Sequence, residues 1–353
     1  MTGSLSLDGH KLLYHLDSVA KWERGDQIHP LYCSLSLSEA CNHKCLFCVY
    51  DYIDRTKTYL DRDAVDRFVT ELAGSGLRAV YFSGEGEPLM HPNAVEIIQN
   101  TKARGVDCAL NSNGYYLTRE VSRELLPHLT YARFSVNGCS PENYKLVHQT
   151  SVKAYDRVLK NLTDAVATRK DMGLQTTLGA QCVILGENIH LIASLAEDLK
   201  RTGIDYLSLK PFLPYEMVDY RTEVDLQAPE TVEWLKEAEA VSDDNFKVVI
   251  RWESINKIEK RSYDKCLSHP FMLEVDAKGE IYLCGPLLGM DGFSYGSIVD
   301  NSFEEILQTE KYKKAIEKIG CVNVHNCMPN CRNDAVNRFL WDLRHPPDHI
   351  NFI

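Results

Sequence analysis

The segment ACNHKCLFC, residues 40–48, carries three cysteines within eight positions. It follows a short apolar run, LYCSLSL (31–37), whose length suits a buried strand, so the three thiols share one loop after that strand. A structural zinc site takes four ligands, commonly from two separated pairs. Three close thiols with no local fourth instead favour a [4Fe–4S] cluster with one iron left open. A zinc site and unrelated thiols are the alternatives.

Six short apolar runs alternate with helical stretches downstream of residue 30. The runs are LYCSLSL (31–37), LRAVYFS (77–83), VDCALNS (106–112), YARFSVN (131–137), LGAQCVIL (178–185) and IDYLSLK (204–210). The helical stretches lie near 61–74, 92–104, 118–127, 152–171 and 187–202. This alternation predicts βα units and a parallel sheet. Six strands are too few for a complete eight-stranded barrel, which leaves a partial barrel or an open doubly wound sheet.

Short polar motifs follow the first four runs. ACNHKCLFC follows the first, GEGEPLMHP the second, NGYY the third and NGCSPENY the fourth. Ligands of βα folds bind at the carboxyl ends of the strands. One pocket is therefore expected to collect all four motifs.

The triplet Cys41-x3-Cys45-x2-Cys48, with an aromatic residue before the third cysteine, resembles that of the radical S-adenosylmethionine (SAM) superfamily. The resemblance implies that the open iron binds the amino and carboxylate groups of SAM. It also implies that the reduced cluster cleaves SAM to a 5′-deoxyadenosyl radical, which abstracts hydrogen from a substrate. Phe47 would lie beside the adenine.

Further motifs match the superfamily in order. The stretch SGEGEP (83–88) is similar to its Gly-Gly-Glu-Pro element, with a glutamate where the first glycine usually stands. By this resemblance the element binds the SAM amino group, and Glu87 meets the ammonium in a charge-assisted bond. The implied SAM contacts are Phe47, Glu85, Gly86, Glu87, Ser112, Asn113, Ser135 and Gln181.

A second group of cysteines lies near the C-terminus. The spacing Cys266-x12-Gly279-x4-Cys284 resembles the auxiliary iron–sulfur domain called SPASM and its shorter form, twitch. Because Lys318 stands where another pair would begin and no cysteine follows residue 331, the thiols suffice for one auxiliary [4Fe–4S] cluster but not two. The expected ligands are Cys266, Cys284, Cys327 and Cys331, with Cys321 as the alternate ligand. A zinc ribbon is the other interpretation.

The expected fold is α/β, a partial (βα)6 TIM-type barrel with a small C-terminal SPASM/twitch domain. The expected segments are an N-terminal extension (1–30), the radical SAM core (31–225), a connecting segment (226–262) and the auxiliary cluster domain (263–353). Within the last, MLEVDAKGEIYLCG predicts a hairpin and SFEEILQTEKYKKAIEKI a helix beginning at Ser302.

Four cysteines lie outside both groups. Cys33, Cys108 and Cys182 fall within predicted strands and are expected to pack as small apolar residues. Cys139 follows the fourth strand, where it is a candidate hydrogen-atom donor to a substrate radical, with simple packing as the alternative. Lys210, at the end of the sixth strand, is a candidate to bind SAM or act on the substrate.

The leading functional hypothesis is oxidation of a secondary alcohol in a sugar, aminocyclitol or similar small metabolite. The single-cluster auxiliary domain resembles that of an aminocyclitol dehydrogenase, and about 30 residues before the barrel are too few for a peptide-binding module. A peptide- or protein-modifying enzyme, a redox-neutral epimerase using Cys139, and an iron–sulfur or zinc scaffold remain open. An electron donor such as flavodoxin or ferredoxin is implied.

The overall composition sets the expected partners. With 39 Lys and Arg against 50 Asp and Glu, the net charge is −11, and no basic cluster favours nucleic acid. No apolar run reaches the length of a membrane span and no signal peptide is evident, so a cytoplasmic location without membrane contact is expected.

Overall fold

The protein is described from a computed structural model covering residues 10–53, 55–214, 216–256, 261–328 and 331–352. Its strands are β1 Tyr32–Leu35, β2 Ala79–Phe82, β3 Asp107–Ser112, β4 Tyr131–Ser135, β5 Thr177–Ile184, β6 Tyr206–Pro211, β7 Lys247–Ile250, β8 Met272–Val275, β9 Glu280–Tyr282 and β10 Gly296–Ser297. Its helices are α1 Leu16–Arg24, α2 Arg62–Ser75, α3 Ala94–Ala103, α4 Arg119–Leu125, α5 Pro141–His148, α6 Ala154–Asp171, α7 Ile192–Thr202, α8 Pro229–Ala240, α9 Trp252–Asn256, α10 Phe303–Gln308, α11 Glu310–Gly320 and α12 Asp334–Arg344.

The ten strands form one sheet in the order β10-β9-β8-β1-β2-β3-β4-β5-β6-β7. From β8 to β7 every neighbouring pair is parallel. Strand β9 is antiparallel to both of its neighbours, β8 and β10. Within the described residues β7 pairs only with β6, so the parallel run stays open as a partial barrel. The six predicted strands are therefore present, and the connecting segment adds a seventh.

The C-terminal segment does not form a separate sheet. β8 pairs in parallel with β1, with Tyr32 opposite Met272 and Leu35 opposite Val275. The predicted hairpin is present as β8 and β9, and Asp276 accepts backbone hydrogen bonds from Lys278 and Glu280 in its turn. The sequence boundary near residue 262 thus divides two segments that share one continuous sheet.

The two faces of the sheet differ in chemistry because strand side chains alternate. On β4, Ala132 and Phe134 are fully buried under the helices, while Tyr131, Arg133 and Ser135 on the opposite face are partly exposed. The helix side holds the main hydrophobic core, and the opposite, concave face of the sheet carries polar side chains such as Ser135, Gln181 and Lys210. Side chains on that concave face are the ones available to ligands.

One predicted helix needs correction, and one helix was missed. The helix predicted from Ser302 breaks into α10 and α11 because Thr309 adopts an extended backbone (ψ 152°) and its hydroxyl caps Tyr312. Helix α5 was not predicted; Ser140 caps it and Pro141 begins it. Among the described helices, none combines the length and hydropathy that crossing a membrane requires.

Candidate functional site

The three cysteines of the first group lie in the loop between β1 and α2, at the carboxyl end of β1. Backbone bonds hold this loop against the end of α5, from Lys44 N–H to the His148 carbonyl (3.1 Å) and from Leu46 N–H to the Val147 carbonyl (3.0 Å). Burial raises the pKa of Cys45 well above its ordinary value, and the neighbouring charges of Cys48 and Cys41 raise it further. A shared metal centre would offset the repulsion among three thiolates, so the donor set fits an iron–sulfur cluster.

The sequence analysis did not identify His148 as a contact of this loop. Its Nδ1 lies 3.1 Å from Cys45 Sγ, and its Nε2 accepts from the Asn137 backbone N–H at 3.1 Å. Because Nε2 accepts, the ring proton belongs on Nδ1 and is directed at the sulfur. Burial keeps the pKa of His148 well below its ordinary value, so the ring is neutral.

A histidine pair packs beneath the cysteine loop. The His43 ring lies 5.2 Å from the His148 ring and 5.7 Å from the Tyr144 ring, and burial lowers the pKa of His43 to about 4. Ligand atoms of His43, Cys45 and His148 lie within 4.8 Å of one another, as a single metal ion would require. Both His148 nitrogens already make hydrogen bonds, however, so the trio serves better as support for the loop.

Glu87 joins the second and third motifs. Its carboxylate accepts from the Ser112 hydroxyl and the Asn113 N–H, both at 2.7 Å, and from the Leu89 N–H at 3.0 Å. The Asn113 amide in turn donates to Asn42 in the cysteine loop at 2.7 Å. The structure therefore brings these predicted SAM contacts together, but Glu87 and Ser112 engage each other, which leaves the Glu87–ammonium bond a prediction.

Two glycines let the second motif approach β1 closely. A Cβ on Gly86 would lie 2.3 Å from the Ala40 carbonyl oxygen, and one on Gly84, whose φ is +140°, would lie 2.3 Å from Ser36 Oγ. Any larger side chain would push the motif away from the cysteine loop. This cradle fits the expectation that backbone groups of the motif bind SAM.

The Glu85 side chain points away from the other predicted SAM contacts. Its carboxylate accepts from the Ala277 N–H in the β8–β9 turn at 3.0 Å, and burial, followed by the charge of Asp276, raises its pKa to about 7. Its side chain is thus engaged outside the SAM site, and the expected contact of Glu85 with SAM, through its backbone, stays a prediction. The glutamate that replaces a glycine ties the motif to the C-terminal hairpin.

The remaining predicted SAM contacts lie on the concave face. Ser135 and Gln181 are register partners on β4 and β5, and Ser208 of β6 is opposite Gln181, which makes a polar row across three strands. Phe47 packs with Val147 and Val183, and its ring lies 6.2 Å from that of His148. These positions suit the implied roles, which stay predictions.

Four C-terminal thiols form the second group. The charges of Cys331, Cys266 and Cys327 all act on Cys284 and, together with the dominant effect of burial, raise its pKa well above the ordinary value. Cys321 is instead exposed at the C-cap of α11. The structure therefore brings the four expected thiols near one another and leaves Cys321 exposed, while the choice of iron ligands stays a prediction.

Two residues that the sequence analysis missed hold these thiols. The Arg261 guanidinium donates to the carbonyls of Val324, Cys327 (3.2 Å) and Met328 (2.7 Å), which fixes the cysteine loop. The Asn337 side chain accepts from the Leu267 N–H at 2.6 Å and lies 3.6 Å from Cys266 Sγ. Long-range pairs of this kind leave no local spacing signal.

The two thiol groups are neighbours. The Tyr52 hydroxyl, just beyond the first cysteine loop, donates to the Leu288 carbonyl at 3.0 Å. A Cβ on Gly285, which directly follows Cys284, would lie 3.3 Å from the Tyr50 hydroxyl. Arg332, which directly follows Cys331, reaches onto the concave face and pairs with Glu274 of β8 at 2.7 Å. The segments that carry the two cysteine groups thus contact each other at the concave side of the sheet.

Cys139 lies on the wrong side of the sheet for a hydrogen donor. It is 3% exposed within the core between sheet and helices, and its thiol donates to the Asn188 carbonyl at 3.8 Å. The chain turns away at Gly138, where a Cβ would lie 2.2 Å from Tyr144 Cα. The prediction of an active-site position is therefore wrong, whereas core packing is confirmed for Cys33, Cys108 and Cys182.

Family models match two parts of the chain. The radical SAM superfamily model matches residues 35–199, and the SPASM model, an iron–sulfur cluster-binding domain, matches residues 266–333. These ranges contain the first cysteine group and the second, respectively.

Curated relatives are similar over part of their length. A tungsten-containing aldehyde ferredoxin oxidoreductase cofactor-modifying protein of Pyrococcus furiosus is 25% identical over 188 residues, 52% of each chain. A GTP 3′,8-cyclase of Chlorobaculum tepidum is 28% identical over 139 residues, 39% of this chain and 41% of that protein. The chain thus spans about half or less of the length of these two relatives.

Solved structures share the fold. Streptococcus suis SuiB bound to S-adenosylmethionine superposes with a TM-score of 0.65 at 14% identity, covering 85% of this chain and 71% of that one. The structure of anSMEcpe with bound AdoMet gives a TM-score of 0.59 at 17% identity and covers 88% of each chain. Since the two family models match the regions that contain the two cysteine groups, the chain belongs to the radical SAM superfamily and carries a C-terminal SPASM iron–sulfur domain.

Proposed function

We propose that the protein oxidises a secondary alcohol of a small polar metabolite to a ketone. The observation that carries the proposal is the four-thiol group of Cys266, Cys284, Cys327 and Cys331 beside the first cysteine loop. A cluster with four protein ligands has no open iron to bind a substrate, which leaves electron transfer or a structural role. Its position at the same interior as the SAM cradle favours electron transfer.

When bound, the groups supply a 5′-deoxyadenosyl radical at the first site and a one-electron acceptor at the second. The substrate loses the carbinol hydrogen atom to that radical, then the hydroxyl proton and one electron. The products are a ketone, 5′-deoxyadenosine and methionine. A donor such as flavodoxin or ferredoxin would supply the electron that SAM cleavage requires.

The chain's own residues position these partners. The polar row of Ser135, Gln181 and Ser208 presents hydrogen-bonding groups to the interior, while the buried core behind it keeps the sheet rigid. Tyr50 and Tyr52 hold the segment after Cys284 against the first loop. These contacts keep the segments of the two thiol groups next to each other.

The structure weighs against the epimerase hypothesis, since Cys139 is sealed in the core. Peptide modification is the competing outcome, because the fold is also that of SuiB, which has been solved with its precursor peptide SuiA. That likeness concerns the fold alone.

The test is anaerobic turnover of the reconstituted protein with sugars, polyols and their acids or phosphates. We expect a ketone, trapped with borodeuteride, in a one-to-one ratio with 5′-deoxyadenosine. Cys327→Ser should still cleave SAM but lose the ketone, whereas Cys321→Ser, a matched change in a nearby cysteine, should retain it. Ketone formation by Cys327→Ser, or the absence of a ketone from every sugar, polyol, acid and phosphate tested, would overturn the proposal.

A further inference from the structure

Basic side chains converge on the concave face of a protein whose net charge is −11. Arg133 on β4 and Lys210 on β6 alternate with residues that face the helices, so they face the interior. Arg332 reaches the same interior from the loop that carries the auxiliary thiols. We call Arg133, Lys210 and Arg332 the interior cationic group.

Arg133 and Arg332 each donate hydrogen bonds to neutral groups, and Arg332 also pairs with one carboxylate. Arg133 donates to the Tyr81 hydroxyl and lies 3.4 Å from Asn111 Oδ1, so no carboxylate neutralises it within the described residues. Arg332 donates to Glu274 at 2.7 Å and to the Tyr32 hydroxyl at 3.0 Å. These bonds fix both guanidinium groups in orientation.

Arg332 also stays accessible. Its side chain is 46% exposed to solvent, although Tyr32, Tyr81 and Glu274 all lie close to it. Arg332 is therefore close to these interior residues and also accessible to solvent. An incoming ligand can therefore reach the guanidinium.

The Lys210 ammonium makes no hydrogen bond or ion pair with any residue that the structure describes, although its backbone pairs with Val183 of β5. Burial, followed by the charges of Arg133, Arg251 and Arg332, lowers its pKa to about 8. The Lys210 ammonium and the Arg133 guanidinium have no carboxylate partner among the described residues, and an anion placed near both would remove the cost of their repulsion. The arrangement is therefore suited to binding a negative group.

We propose that the substrate carries a carboxylate or phosphate, and that Lys210, Arg133 and Arg332 bind it. This rests on the proposed function, whose substrate class it narrows: acidic or phosphorylated sugars and polyols fit, and aminocyclitols, which are cationic, do not. Lys210 is thus a binding residue, and Glu274 positions Arg332. The overall negative charge makes this local excess of cations a selective feature.

Binding without chemistry tests the proposal. Malonate and inorganic pyrophosphate are titrated calorimetrically into the reconstituted, SAM-loaded and unreduced enzyme, with malonamide as the neutral analogue of malonate. We expect one or both anions to bind and malonamide not to bind. Malonate alone would indicate a carboxylate, and pyrophosphate alone a phosphate.

Variants locate the site. Lys210→Met and Arg332→Gln should each weaken anion binding roughly tenfold or more, because each removes a charge-assisted contact. Lys160→Met and Arg119→Gln remove equal charges from exposed surface pairs with Asp164 and Asp171 and should change nothing. Lys210→Met removes no hydrogen bond from the described fold, so it stays informative if Arg332→Gln misfolds.

Two results would overturn the proposal. One is that neither anion binds at millimolar concentration. The other is that Lys210→Met weakens SAM binding and leaves anion binding unchanged, since these cations would then serve the SAM carboxylate. Because no reductant is present, the outcome does not depend on whether the enzyme oxidises an alcohol.

Discussion

The Nδ1 atom of His148 lies 3.1 Å from the sulfur of Cys45, although 103 residues separate the two in sequence. The Asn137 N–H occupies the other ring nitrogen, so the proton on Nδ1 is directed at the sulfur. A hydrogen bond to a ligating sulfur stabilises the more negative, reduced state of a cluster. His148 is thus a positioning residue for the predicted ligand Cys45.

Removing this bond should make the first cluster harder to reduce. We expect His148→Leu to retain iron but to lower the midpoint potential by on the order of tens of millivolts, measured by redox titration with electron paramagnetic resonance. His190→Leu, a change at an exposed histidine, is the control. An unchanged potential in His148→Leu would show that the contact has no electronic effect.

Iron and sulfide content separates the two groups of thiols. Anaerobically purified protein should hold about eight irons, and a Cys41/Cys45/Cys48→Ala triple variant about four, because each group holds one four-iron cluster. Chemical analysis of iron and acid-labile sulfide measures this. About four irons in the native protein and none in the variant would mean that the C-terminal thiols hold no iron.

Two cysteines in the same C-terminal stretch should behave differently. Cys321→Ser should keep both clusters because Cys321 is exposed at the end of α11, whereas Cys327→Ser should lose most of the auxiliary iron. Iron content and visible absorbance of the paired variants report the difference. Equal losses from both would place Cys321 among the ligands.

The raised pKa of Glu85 predicts a pH-dependent stability. Its pKa rises from 4.5 to about 7 in the fold, chiefly through burial, so between these values the native state binds more protons than the unfolded state. Stability therefore falls as pH rises through this window, by at most about 3 kcal/mol from this group.

Glu85→Gln keeps an acceptor for the Ala277 N–H but cannot ionise. We expect its melting temperature to fall less than that of the native protein between pH 5 and pH 8, as measured by thermal unfolding of the reconstituted enzyme. Glu120→Gln, at a fully exposed carboxylate, is the control. Parallel pH profiles for native protein and Glu85→Gln would contradict the assignment.

Local patterns predicted much of this molecule. Strands and helices alternate as the apolar runs and the helical spacing predicted. Each of these patterns reflects the burial of one face of the element. The auxiliary hairpin formed around Gly279, whose φ is +88°. By contrast, Thr309 ends α10, which the apolar spacing alone did not reveal, because a capping hydroxyl outweighed helical propensity.

By itself the sequence determined the two sets of thiols, the order of the βα units and the membership of the radical SAM superfamily, since all three depend on short spacings. Only the tertiary structure decided which face each side chain reached. It buried Cys139, turned Glu85 toward the β8–β9 turn, and brought Arg133, Lys210 and Arg332 together from three separate elements. These outcomes depend on the pairing register of the strands and on contacts between segments that are distant in sequence. The spacing of residues within one segment specifies neither of them.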